Sequence, residues 1–266
     1  MGRQRTEAEQ QVADLLRTAK EGLGLGLTFL SRLDGETQHL EVVESNLPFV
    51  FKDGNTQPQA TSFCQAILDG KLPSVIPDVT RLPAAKRLPA ARFPHIRSYV
   101  SVPVVLSDGT LYGTFCAAGF TRDKQLNKRD KALMDVLARA AAVIIEPGVR
   151  QRDRDTEIRQ RIAPVIAQGG PTVVLQPIVA LGTGLRAGAE ALSRFPAEWG
   201  KPPDVCFEEA HSIGEGTILE VLALHRAAAH LDRVSGYVAM NVSPATLFDP
   251  RCSDLLAELP ASRILL

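Results

Sequence analysis

Cysteine is scarce in these 266 residues, and its scatter excludes a disulfide scaffold. Cys64, Cys116, Cys206 and Cys252 lie 52, 90 and 46 residues apart, so no Cys-x-x-Cys pair suggests zinc or redox chemistry. They read as buried, reduced thiols that act as small hydrophobes. Net charge is absent too: 30 basic residues balance 30 acidic ones, which implies neither a nucleic-acid surface nor a polybasic membrane patch. No apolar run approaches the about 18 residues of a membrane span, and the nearest, 140–145, follows Arg139. The polar start at residues 1–10 lacks the apolar stretch of a signal peptide. A soluble, cytoplasmic protein is expected. His225 and His230 lack the His-Glu-x-x-His pattern of a zinc hydrolase, and the glycine run 22–26 lacks the Lys-Ser/Thr ending of a phosphate loop. Met1-Gly2-Arg3-Gln4-Arg5-Thr6 formally fits a myristoylation signal, with nothing else pointing to a membrane.

What is present is ordinary globular composition, 45% hydrophobic and 23% charged, and a length that suggests two domains. Val12, Leu15, Leu16 and Ala19 recur at helical spacing until the glycine run. Strand-like runs at 27–33 and 39–45 are joined through Asp34-Gly35, and runs at 99–106 and 111–117 flank Ser107-Asp108-Gly109-Thr110. Both are hairpin signals. Between them lies a proline-rich stretch, 46–98, with one short helix at 62–68, read as a long irregular insertion. Leu133, Val136, Leu137, Ala140 and Ile144 then make a helix that Pro147-Gly148 terminates. Helix, antiparallel hairpins and closing helix define an α+β domain.

Thr61-Ser62-Phe63-Cys64, Val75-Ile76-Pro77-Asp78, Ser101-Val102-Pro103-Val104, Asp108-Gly109 and Tyr112-Gly113-Thr114-Phe115-Cys116 follow one another in the order of a GAF domain, which residues 1–146 resemble. The resemblance implies a small-molecule or redox sensor and a dimerisation module. The ligand is unknown. Asn127-Lys128 is not followed by the Phe and acidic pair of the cyclic-nucleotide variety. Cys116 and His95 could carry a chromophore or haem by that resemblance, but they fit core and loop positions better.

Residues 147–168 read as a linker helix, with alternating charge from Arg150 to Arg161 and Ile158, Ile162 and Val165 on one face. A spacer docked on the next domain and a dimeric coil both fit. From Pro171 strand and helix alternate, which argues for an α/β domain over 169–266. The run 173–179 is almost continuously apolar, as in a strand covered on both faces, and Thr217-Ile218-Leu219-Glu220 reads as a capping box.

Glu190 and Asn241 stand near the C-terminal ends of expected strands, where a βα barrel carries its chemistry. Carboxylate and carboxamide oxygens suit Mg²⁺ or Mn²⁺, and Arg194 could hold a phosphate. Equally, the Glu could pair with an Arg, and Asn241-Val242-Ser243-Pro244 could be a turn. Gln176-Pro177-Ile178-Val179, Thr183-Gly184, Gly188, Glu190-Ala191-Leu192-Ser193-Arg194-Phe195, Phe207, Ala210, Gly214, Leu219-Glu220 and Met240-Asn241-Val242-Ser243-Pro244 are similar, in order, to the opening of an EAL domain, the cyclic di-GMP phosphodiesterase family. His211 replaces the usual acidic residue, and Phe195 the usual Trp.

The EAL resemblance implies Glu190 and Asn241 as catalytic metal ligands, and Gln176, Leu192 and Arg194 as nucleotide contacts. It further implies two Mg²⁺ or Mn²⁺ ions and hydrolysis of cyclic di-GMP to linear pGpG. The family's later ligands are not in these residues. A (β/α)₈ barrel takes about 250 residues, and 169–266 supplies 98. The expectation is therefore a GAF domain followed by an incomplete TIM-barrel-like EAL domain, a fragment of a GAF-regulated phosphodiesterase. The alternative is a catalytically inactive cyclic di-GMP receptor, or a GAF sensor and dimerisation module acting by contact. A homodimer through the helices around residue 147 is the expected assembly.

Overall fold

A computed structural model describes residues 4–266, so Met1, Gly2 and Arg3 of the myristoylation-like pattern lie outside the described residues. The chain divides into two compact units, Met1–Arg150 and Gln151–Leu266.

The first unit opens with α1 (Glu7–Leu23). Thr6 and Glu9 cap each other's backbone N–H groups, and Gly24, at φ 63°, supplies the left-handed turn that ends the helix. The hairpin β1 (Leu27–Leu33) and β2 (Thr37–Ser45) turns at Asp34, whose Oδ1 accepts from the N–H groups of Glu36 and Thr37 at 3.1 and 2.7 Å. Then come β3 (Thr56–Pro58), α2 (Phe63–Leu68), β4 (Val75–Ile76), α3 (Pro83–Lys86) and α4 (Pro89–Arg92). The 46–98 stretch is thus less irregular than its prolines suggest. Pro83 and Pro89 each occupy a first helical turn, where no amide donor is needed. The second hairpin, β5 (Ser98–Val105) and β6 (Leu111–Gly119), completes a six-stranded antiparallel sheet in the order β3-β2-β1-β6-β5-β4.

Both faces of this sheet are covered, and side-chain alternation sorts the core into two layers. Phe115 and Ala117 of β6, with Val100, Val102 and Val104 of β5, meet Val12, Leu16 and Ala19 of α1. Cys116 and Ala118 point the other way, toward Phe63 and Cys64 of α2 and toward Tyr99. Gly113 allows close pairing of β1 and β6, because a Cβ there would stand 1.8 Å from the Ser31 carbonyl oxygen.

The closing helix does not stop at Pro147-Gly148. The helix α5 runs unbroken from Lys128 to Ala167, through two prolines, so the expected separate linker helix is its continuation. Asn127 begins it: its Oδ1 accepts from Arg129 N–H at 2.8 Å, and Asp130 accepts from Asn127 N–H at 2.7 Å. Pro147 withdraws one donor from the helix interior at a cost of about 3 kcal/mol. Burial of Met134, Leu137, Ala141 and Ile145 against the first unit's core offsets it on one side.

The second unit holds a four-stranded sheet in the order β10-β9-β8-β7. It comprises β7 (Thr172–Val179), β8 (Arg186–Arg194), α6 (Pro203–Ser212), α7 (Gly216–Ala228), β9 (Tyr237–Met240), α8 (Pro244–Leu247), α9 (Pro250–Glu258) and β10 (Ile264–Leu265). The first pair is antiparallel, and β8, β9 and β10 run parallel. The sheet is open, with β7 and β10 at its edges, so no barrel closes among the described residues. The apolar run expected to be covered on both faces is the edge strand β7, where Val174 and Val179 are exposed. Pro177 fits that position, since an edge strand has one side free of ladder bonds. The expected capping box at Thr217 is also corrected: α7 starts at Gly216, and Glu220 turns to other partners. One core joins β8, β9, α7 and α9; a second joins Ile158, Ile162 and Val165 of α5 to Ala210 and Leu219. No described helix is long and apolar enough to cross a membrane.

Candidate functional sites

In the second unit, parallel pairing of β8 with β9 brings Glu190 opposite Ala239. Asn241 directly follows β9, and its Nδ2 donates to Glu190 Oε1 at 3.1 Å. The strand β8 extends to Arg194, so Glu190 stands mid-strand, close to where the parallel ladder ends. Gln176 is the cross-strand partner of Glu190 on β7. Leu192 and Arg194 line, with Asn241, Phe207 and Ser243, a cleft of about 340 Å³. Arg194 is exposed, and its guanidinium donates to the Ser193 carbonyl at 2.9 Å. All five expected residues thus fall in one neighbourhood of the sheet. As a metal site the set is incomplete. Glu190 and Asn241 supply at most three side-chain oxygens where Mg²⁺ takes about six, and Asn241 presents its amide nitrogen to the carboxylate. Among the described residues no group of three or more His, Cys, Asp or Glu could hold a metal ion. No hydrolytic step follows from this donor set.

The loop bearing Asn241 is held from below by a residue whose role the sequence hid. Glu220 is buried on α7; its Oε2 accepts from Ser243 N–H at 2.9 Å, and its Oε1 lies 2.6 Å from His211 Nε2. Burial pushes this carboxyl up, yet His211 and the Ser243 backbone outweigh it and hold it below the usual carboxylate range. Ser243 in turn caps α8 by accepting from Thr246 N–H at 3.3 Å.

The first unit carries a different cluster, between its sheet and α2. Cys64 Sγ and Cys116 Sγ, 52 residues apart in sequence, are 3.3 Å apart in space. Around them the Tyr99 hydroxyl lies 3.1 Å from Cys64, the Ser101 hydroxyl 3.2 Å from Cys116, and Thr114 Oγ1 3.2 Å from Cys116. Gln38 Nε2 donates to Cys64 Sγ at 2.9 Å and to Ser31 Oγ at 2.8 Å. All of these residues are buried. Burial raises the Cys64 thiol, but Cys116, Thr114, Tyr99 and Gln38 surround its sulfur with donors and draw it below the usual thiol range. Cys116 and Tyr99 are pushed up, first by burial and then by the neighbouring sulfur. Sequence spacing could not show this pair, because strand pairing and the seat of α2 bring the two sulfurs together. As positions for covalent attachment, Cys116 is a core residue and His95 an exposed loop residue with φ 72°.

An antiparallel sheet with β2-β1-β6-β5 at its centre, flanked by helices on both faces and enclosing polar groups near its middle, defines an α+β sensor-type domain. Residues 6–146 match the GAF domain model, and the chain belongs to that family. Solved structures similar to it include a far-red cyanobacteriochrome photoreceptor, 16% identical, with 53% of this chain and 86% of that chain covered and a TM-score of 0.43. The GAF domain of an Acinetobacter phosphoenolpyruvate-protein phosphotransferase is 9% identical, covering 55% and 86%, at TM-score 0.44. A methyl-accepting chemotaxis protein is 19% identical, covering 53% and 90%, at TM-score 0.44. None is close enough to assign a ligand. No curated protein matches the chain.

Proposed function

We propose that the protein is a cytoplasmic signalling protein in which a GAF sensor, residues 1–146, regulates a cyclic di-GMP-recognising unit of EAL type over 169–266. The observation that carries the second half is the meeting of Glu190 and Asn241, 51 residues apart, at the end of the β8–β9 parallel ladder, beside the Arg194 cleft. This is the place in a parallel sheet where strand ends converge on a ligand. Arg194 suits a phosphodiester, with its planar fork of donors, and Gln176 and Leu192 complete the proposed nucleotide contacts. Glu190 and Asn241 are proposed as two of the ligands for Mg²⁺ or Mn²⁺ in a hydrolase that yields pGpG. Their direct hydrogen bond and the lack, among the described residues, of a metal-holding group of three such donors favour the second reading: recognition without turnover.

Calorimetry with cyclic di-GMP, with and without Mg²⁺, tests the proposal. Binding that Arg194→Ala weakens about tenfold, as expected for loss of a charged hydrogen bond, supports it. Absence of heat at high nucleotide concentration sinks it. Chromatography of the same mixtures is expected to show no pGpG. Product lost on Glu190→Ala would instead establish turnover.

A further inference from the structure

We propose that Cys64 and Cys116 form a reversible disulfide when Cys64 reacts with a hydroperoxide, which makes the GAF unit a thiol-based redox sensor. This assignment does not depend on the nucleotide reading of the second unit.

The argument starts from position. The sulfurs are 3.3 Å apart, so closing to the about 2.05 Å of a disulfide needs a shift of only about 1.3 Å. Cys116 sits in β6, paired to β1 on one side and β5 on the other, and is held by both ladders. Cys64 sits on α2, a helix of six residues. Such a helix can open locally without unfolding the sheet. That opening gives a water-sized oxidant access to Cys64, which is 1% exposed in the closed state.

The surroundings assign the roles. The orientation of the Gln38 amide is fixed, because its Oε1 accepts from Gln57 Nε2 at 2.6 Å and its Nε2 therefore faces Cys64. Burying an amide, a phenol and three further hydroxyls around two sulfurs is costly unless each is bonded, and here the bonds converge on the sulfur pair. Donors facing Cys64 favour its thiolate, the nucleophilic form. Cys116, paired into the sheet on both sides, is left to resolve the intermediate.

The Cys64 thiolate attacks one oxygen of hydrogen peroxide. The S–O bond forms, the O–O bond breaks, and the leaving hydroxide takes a proton to become water. The Cys116 sulfur then attacks the Cys64 sulfenic acid. The S–S bond forms, the S–O bond breaks, and the departing hydroxide takes the Cys116 proton as a second water. Two thiols have lost two electrons to one peroxide, and a dithiol reductant reverses the change. Cys206 and Cys252 lie in the other unit, and burial raises both thiols. They serve as internal controls.

The test is to expose the full chain to hydrogen peroxide at neutral pH, block the remaining thiols in denaturant, and map the digest by non-reducing mass spectrometry. The expected result is a Cys64–Cys116 linked peptide, cleaved by dithiothreitol, with Cys206 and Cys252 still alkylated. Cys116→Ser is expected to leave a sulfenic acid on Cys64 that dimedone traps. Gln38→Leu is expected to slow linkage about tenfold by removing a donor to the thiolate, and Tyr99→Phe takes its place if circular dichroism shows that Gln38→Leu is unfolded. Linkage no faster in the native chain than in urea would overturn the proposal. So would oxidation of Cys206 or Cys252 at the rate of Cys64, or a native Cys64 that stays reduced.

Discussion

At the scale of single residues, the second unit turns on a carboxylate that touches no expected ligand. Glu220 anchors Ser243, two residues beyond Asn241, and so fixes the turn from which Asn241 reaches Glu190. His211 stands where the EAL resemblance leads one to expect an acid, and its imidazole meets Glu220 at 2.6 Å in place of a second, repelling carboxylate. Because the folded state holds Glu220 below its ordinary value of 4.5, its share of stability is present above that value and lost as pH falls through the lower folded one. Glu220→Gln keeps the shape and removes the charge. It is expected to cost about 1.5–3 kcal/mol near neutrality, the range for hydrogen bonds to charged groups, and to shrink as pH falls below 4.5. Urea denaturation of both proteins at several pH values checks this; an equal difference at pH 7 and pH 3.5 would remove the charge from the explanation.

At the scale of elements, what could be read in the sequence was what is local. The Asp34-Gly35 and Asp108-Gly109 turns announce their hairpins because the turn residues cap their own backbones, as Asp34 and Asp108 do. The apolar period of α1 and its capping box are equally local. The strands β3 and β4 could not be read, since three and two residues form strands only where β2 and β5 offer an edge. The continuity of α5 was hidden for the same reason: Pro147-Gly148 is a sound local stop signal, overruled by burial before and after it. At the candidate sites, Glu190, Asn241, Gln176, Leu192 and Arg194 are singled out by motif alone, while the Cys64–Cys116 pair and Glu220 depend on tertiary contacts with no fixed spacing. The reading of α5 has a consequence for Gly148. It lies inside a helix, a Cβ there would meet nothing within 4 Å, and its φ is not positive. Gly148→Ala is therefore expected to stabilise the protein by about 0.5–1 kcal/mol. A thermal melt that falls instead would mean that the helix breaks at this point in solution.

At the scale of the whole molecule, α5 carries a feature that its own packing does not use. Leu133, Val136, Ala140, Val143 and Pro147 follow one another at spacings of three and four, the period of a coiled-coil seam. The buried residues of the same helix segment, Met134, Leu137, Ala138, Ala141, Ala142 and Ile145, face the core of the first unit. On the seam, Val136 is 53% exposed and Val143 72%. A row of aliphatic side chains left in water along a helix favours association with a copy of itself, because a two-fold axis lays the same stripe against its equivalent. We therefore expect a homodimer formed along this stripe. Two heptads of seam, about four helical turns, are short, so each branched side chain contributes a large share, and a carboxylate at the centre would be forced to face its own equivalent across the axis. Static light scattering of the 266-residue chain is expected to report the mass of a dimer, and Val136→Asp with Val143→Asp the mass of a monomer at the same concentration. Since both side chains are exposed in the single chain, the double variant is expected to keep its circular dichroism spectrum. A wild-type monomer at high concentration would sink the assembly, and a double variant that remains dimeric would move the interface to another face.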